Sequence, residues 1–197
     1  MKKFLLSSGL VLGLEAVFYW LIKLFQYNYS TFNFTMDSTI PFINHFVFIY
    51  DMFYPFMFLA LYLIYKEDKK LYKNTLKCII VGFIICMITF LIYPTVIIRP
   101  DVEVNSFTNL VLYLTYYFDT PAINCFPSIH CLFMFQLIFS FMSFKTTMFK
   151  KISVIIFSIL VILSTLFIKQ HYVIDVVVSF IICLIVNLII KFKTSNN

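Results

Sequence analysis

The chain has 197 residues, 62% of them hydrophobic and only 12% charged, with a net charge of +6. A soluble domain of this size carries about a quarter charged residues and could not keep so much apolar surface from water. A water-soluble globular protein is therefore excluded, and the fold class expected is all-α, a polytopic membrane protein.

The hydrocarbon core of a bilayer is about 30 Å thick, so each helical span needs about 20 apolar residues. Six such runs follow in chain order, at 4–25, 41–65, 76–93, 127–144, 152–168 and 171–190. They predict one six-span membrane domain over 1–197, with no separate soluble part. The first run starts at Lys2-Lys3 like a secretory signal. No small-x-small cleavage site follows, and the apolar stretch continues through Trp20 to Phe25, so it reads as a retained span. Glu15, His45 and Asp51 fall inside the first two runs, where interhelical pairing with one another or with Lys23 is expected. The more polar stretch 94–126 predicts a short interfacial helix near 107–118, followed by Asp119 as a cap or a water-facing group. Asn28-Tyr29-Ser30 and Asn33-Phe34-Thr35 fit glycosylation sequons, which carry no meaning in a bacterial source. The five cysteines form no C-x-x-C pair and read as unpaired packing residues.

Lysine placement gives the orientation, because cytoplasmic loops and ends carry excess Lys and Arg. Six spans put both termini on one side with loops 66–75 and 145–151, and that side holds 12 of the 15 basic residues. Both termini are thus expected to be cytoplasmic, with 26–40, 94–126 and 169–170 outside. The positive charge reflects topology, and no nucleic-acid partner is implied. Lys23, Arg99 and Lys169 are the three outward exceptions.

Three polar stretches converge on that outer boundary: Tyr93 to Pro100, Phe126 to His130, and Ser164 to Asp175. His171 and Asp175 are four apart, so on a helix they share a face. A carboxylate bonded to one ring nitrogen raises the basicity of the other, which suits a nucleophilic or general-base histidine. Pro127 sits where a helix could begin, its first-turn N–H groups forming an anion site with the Ser128 hydroxyl. His130 would stand one turn inside, placed to protonate a leaving oxygen. Arg99 can grip phosphate bidentately, and Lys169 as a point charge.

With Arg99-Pro100, Pro127-Ser128-Ile129-His130 and Ser164 to Asp175, the chain resembles the type 2 phosphatidic acid phosphatase superfamily. Its pattern is Lys-x6-Arg-Pro, Pro-Ser-Gly-His and Ser-Arg-x5-His-x3-Asp, and the likeness extends over about residues 40–190. This chain departs at Ile92, Ile129 and Thr165, which stand at the Lys, Gly and Arg positions. The resemblance implies catalysis by His171, Asp175 and His130, with Arg99, Ser128, Lys169 and Ser164 binding phosphate. It implies a phosphohistidine intermediate, no metal and no cofactor. The substrate would be a lipid phosphate or polyprenyl diphosphate, hydrolysed at the outer face of a cell membrane. The His-Tyr-x-x-Asp-Val wording of 171–176 looks more like the inositolphosphotransferase and sphingolipid-synthase branch, in which an alcohol replaces water as acceptor. A catalytically silent scaffold or transporter on the same fold stays open, as does a metal site built from His130, Cys131, His171 and Asp175.

Overall fold

The computed structural model describes residues 2–26, 28–32 and 35–195; the second expected sequon falls outside these at Asn33 and Phe34. Among them the protein is helical, with two isolated bridges, Ser30 to Thr95 and Val96 to Ile123, joining segments between its helices. The elements are α1 (Lys2–Lys23), α2 (Thr35–Thr39), a 3-10 turn (Asn44–Phe46), α3 (Val47–Asp51), α4 (Phe53–Glu67) and α5 (Lys69–Ile92). They continue with α6 (Phe107–Phe118), α7 (Ile129–Ser143), α8 (Met148–Phe167) and α9 (Val173–Ser195).

Among the described residues five helices are long and apolar enough to cross a membrane: Lys2–Lys23, Asn44–Glu67, Lys69–Ile92, Met148–Phe167 and Val173–Ile190. Their outer faces carry large apolar side chains open to the surroundings, Leu6, Leu59, Ile92 and Leu188 among them, as lipid-facing helices require. This is a multi-pass pattern. The expected 127–144 span forms only the 15 residues of α7, about 22 Å at 1.5 Å per residue. α7 is instead the buried centre of the bundle, packed on α4, α5, α8 and α9, with Phe133, Met134, Leu137 and Phe141 inaccessible.

The expected loop 66–75 is a correction. Helix runs through it on both sides of a single break, Asp68, whose carboxylate caps α5 by accepting from the Leu71 N–H at 2.8 Å. Lysines are good helix formers, so a charged stretch need not be a loop. The short helix expected at 107–118 is present as α6, with Ser106 capping it through the Asn109 N–H. α5 and α7 meet closely at Gly82, where an added Cβ would stand 2.9 Å from Leu132 Cδ2. Below that contact a polar ladder crosses three helices: Asn187 Nδ2 donates to Gln136 Oε1 at 2.7 Å, and Ser140 and Thr75 hydroxyls pair at 2.8 Å. Such bonds tie helices together where there is no hydrophobic force between them. All five cysteines are buried.

Candidate active site

α8 ends at Phe167, and the chain reverses with Lys169 in the left-handed region, φ 52°. The Thr165 carbonyl then accepts from both Gln170 N and His171 N, at 2.8 and 3.1 Å. His171 is therefore set in a turn ahead of α9 and not on the helix itself, contrary to the shared-face expectation. Asp175 reaches back across that turn. Its Oδ2 accepts from the Tyr172 N–H at 2.8 Å and lies 3.3 Å from His171 Nδ1.

The nearer partner of His171 Nδ1 is the Cys125 carbonyl, at 2.9 Å. Both neighbours of Nδ1 accept hydrogen bonds, so Nδ1 carries the proton and Nε2 presents its lone pair. Asp175 is fully buried and His171 nearly so, leaving that one nitrogen as the useful atom.

Ser128 caps α7 by accepting from the Cys131 N–H at 3.2 Å. Pro127 thus precedes the cap and is not the first helical residue, which moves the open N–H groups of the first turn to Ile129 and His130. His130 stands in that turn with its ring against Tyr50 and Phe53, at 4.8 and 4.4 Å between centroids. No described residue hydrogen-bonds to it. Its centroid is 6.0 Å from that of His171. Reacting atoms must come within about 3–3.5 Å, so one small tetrahedral group can touch both rings.

Around the histidines the charged groups are engaged with one another. Arg99 donates through Nη2 to Asp119 Oδ2 and Gln170 Oε1, and lies 4.8 Å over the Tyr116 ring. Lys23 donates to Asp119 Oδ1 at 2.8 Å and to the Pro121 carbonyl at 3.0 Å. Burial works against a charged Asp119, but Lys23 and Arg99 outweigh it and hold the carboxyl below its usual range. Asp119 is therefore a bridge between two cations and not a simple cap. The Lys169 ammonium is held by the Asp37 and Ile40 carbonyls at 3.1 and 2.6 Å. The Ser164 hydroxyl is buried and donates to its own helix at Val161, 2.6 Å away.

Two cavities meet at His171. One, of about 560 Å³, is lined by Glu15, Asp51, Tyr54, Asn124, His130 and His171 among others. The other, of about 670 Å³, is lined by Asp37, Ile98, Lys169, His171 and Tyr172 among others. The polar groups expected to pair across the first spans take hydroxyl partners instead. Glu15 accepts from Tyr54 at 3.0 Å, Asp51 from Thr115 at 3.1 Å, and His45 is exposed. Hydroxyls satisfy a carboxylate in apolar surroundings without a second charge having to be desolvated.

A family model described as the PAP2 superfamily matches residues 98–196. The chain belongs to the PAP2 superfamily. The match takes in Arg99, both histidines and Asp175, and supports a phosphatase-type or phosphotransferase-type enzyme acting on lipid phosphates. No curated protein matches the chain, and no solved structure does.

Of the residues expected from the PAP2 resemblance, the structure brings together His130, His171 and Asp175, with Ser128 close behind as the α7 cap. Arg99 is near them through Gln170, but its charge is met by Asp119. The Lys169 ammonium turns to the α2 segment, although the residue lines the second cavity with His171. Ser164 lines neither cavity. Among the described residues no three His, Cys, Asp or Glu side chains gather as metal ligands would. Sequence reasoning missed the Cys125 carbonyl, Asn124 and Gln170. A backbone oxygen has no sequence signature, and the only sign of the amides was their place beside motif residues in otherwise apolar segments.

Proposed function

We propose that the protein is a membrane phosphatase that hydrolyses a lipid phosphate or diphosphate at the extracytoplasmic face through a phosphohistidine. The observation that carries this reading is the pair of acceptors against His171 Nδ1, the Cys125 carbonyl and the Asp175 carboxylate, which leave Nε2 as a nucleophile. The Nε2 lone pair attacks phosphorus in line, the bond to the leaving oxygen breaks, and that oxygen takes a proton from His130. Water then attacks the phosphoryl group and passes a proton to His130. The P–N bond breaks, and the electron pair returns to His171. Asp175 holds the ring and stabilises its positive charge while phosphorus is attached.

The six-span arrangement is part of this reading, with α7 as the short, shielded crossing and both termini cytoplasmic. The three basic residues that stand against the charge rule all have internal partners, Asp119 for Lys23 and Arg99, and carbonyls for Lys169. They are thereby accounted for without reversing the topology. Trp20, Leu114 and Phe118, exposed at the edge of the first cavity, suit a lipid tail approaching from the side of the bundle.

The test is phosphate release from phosphatidic acid and a polyprenyl diphosphate by purified protein in detergent, with chelator present. Release that is equal in His171→Ala refutes the reading. Transfer of a phosphoryl headgroup to an alcohol is the second reading. It is favoured by the neutralised Arg99, because a phosphodiester carries less charge than a phosphomonoester or diphosphate. A new phosphodiester product on adding an alcohol acceptor would distinguish it.

A further inference from the structure

Two buried amides beside the histidines have unused hydrogen-bonding capacity. Gln170 is 2% exposed and Asn124 3% exposed, and both line the cavity that holds His130 and His171. The orientation of Gln170 follows from its neighbour: Arg99 has only donors, so the atom meeting it is Oε1. Nε2 then carries two N–H groups, and no described residue accepts from them. Both Nδ2 and Oδ1 of Asn124 are likewise without a partner among the described residues.

Buried polar groups are nearly always paired, and an unpaired one asks for a reason. Asn124 holds a φ of 62°, which glycine would adopt at least cost. The turn therefore does not need this side chain. Its backbone is firmly set, with Asn124 N donating to the Thr95 carbonyl at 2.9 Å and Phe126 N to the Thr95 hydroxyl at 3.0 Å. Asn124 thus stands on a rigid base, and it lines the histidine cavity.

We infer that Asn124 and Gln170 are neutral donors that hold the non-bridging oxygens of the phosphoryl group while His171 and His130 act on it. This rests on the phosphoryl-transfer reading of the site. It explains how the site can work with so little free charge. Ile92 is 77% exposed on the outside of the bundle, and the Thr165 hydroxyl is buried on the Ile162 carbonyl. Arg99 spends Nη2 on Asp119 and Gln170, leaving Nε unpartnered among the described residues, and the Lys169 ammonium is held by two carbonyls. Preorganised donors cost no rearrangement when charge moves onto phosphoryl oxygens, and neutral amides serve as well as backbone N–H groups.

The test uses full-length protein in detergent and the variants Asn124→Gly and Gln170→Glu, with His171→Ala as control. Phosphate release from phosphatidic acid, calorimetric affinity for inorganic phosphate and melting temperature are measured on each. Gln170→Glu keeps an acceptor for Arg99 and removes the donor. Both variants should lose about 100-fold in turnover, the effect of deleting one such donor. Phosphate affinity should fall with it. The Asn124→Gly melting temperature should hold or rise, because an unpaired polar group and a strained φ are both removed. Wild-type turnover and phosphate affinity in both variants, with His171→Ala inactive, overturn the inference and leave the phosphatase reading standing. Losses that track a lower melting temperature also overturn it. An inactive wild-type protein whose phosphate affinity still drops in both variants supports the inference while the reading fails. A wild-type protein that neither turns over nor binds phosphate overturns both.

Discussion

Replacing Asp119 with Asn removes the one carboxylate shared by Lys23 and Arg99. Those two side chains are 4% and 8% exposed, whereas that of Asp119 is 26% exposed. Breaking a buried pair costs about 3–5 kcal/mol, chiefly because the remaining charge stays buried. Partial exposure of Asp119 places the expected loss near the lower end, about 3 kcal/mol, even though two cations are stranded. For a chain of this length each kcal/mol moves the melting temperature by about 2–4 °C, so a drop of about 6–12 °C is expected on heating in detergent. Acid should have the same origin of effect. The folded-state pKa of Asp119 is depressed, so its stabilisation is present above the unfolded value, about 3.9, and is lost as pH falls through the folded value. Melting curves taken from neutral pH downward should therefore fall in wild type below about pH 4 more steeply than in Asp119→Asn. A melting temperature within error of wild type at neutral pH, or an unchanged acid limb, would refute the bridging role.

Asp175→Asn should lower turnover by about 10²-fold, less than the roughly 10⁴-fold seen where a carboxylate alone sets the histidine tautomer, because the Cys125 carbonyl still holds Nδ1–H; steady-state rates decide it. Ser164→Ala should leave turnover and phosphate affinity near wild type, since its hydroxyl bonds only its own helix. Gly82→Ala should destabilise by about 1–3 kcal/mol through overpacking, because the new Cβ meets Leu132 at 2.9 Å. Adding Leu132→Ala should recover part of that loss, and a melting series over the single and double variants measures the coupling.

Much of the architecture was legible because hydrophobic length is a local property. Runs of about 20 apolar residues mark helices without reference to neighbours, and the α6 boundaries followed from where polarity rose and fell. The histidines and Asp175 stood out as candidates too, since ionisable residues in apolar surroundings have few bland explanations. Helix through Lys66 to Lys77 was not, because charge marks the end of a lipid-facing stretch but does not end a helix.

What the sequence by itself determined is a helical membrane chain of this family, with His130, His171 and Asp175 as its candidate reactive set. Only the tertiary structure decided which partners those residues and the cations take. Arg99 meets Asp119, 20 positions away, and Gln170, 71 positions away, and His171 is steered by the carbonyl of Cys125, 46 positions away. Spacing along a chain specifies only what lies within a turn or two of helix. Whether a cation is free for phosphate or already neutralised depends on which distant groups the fold sets beside it.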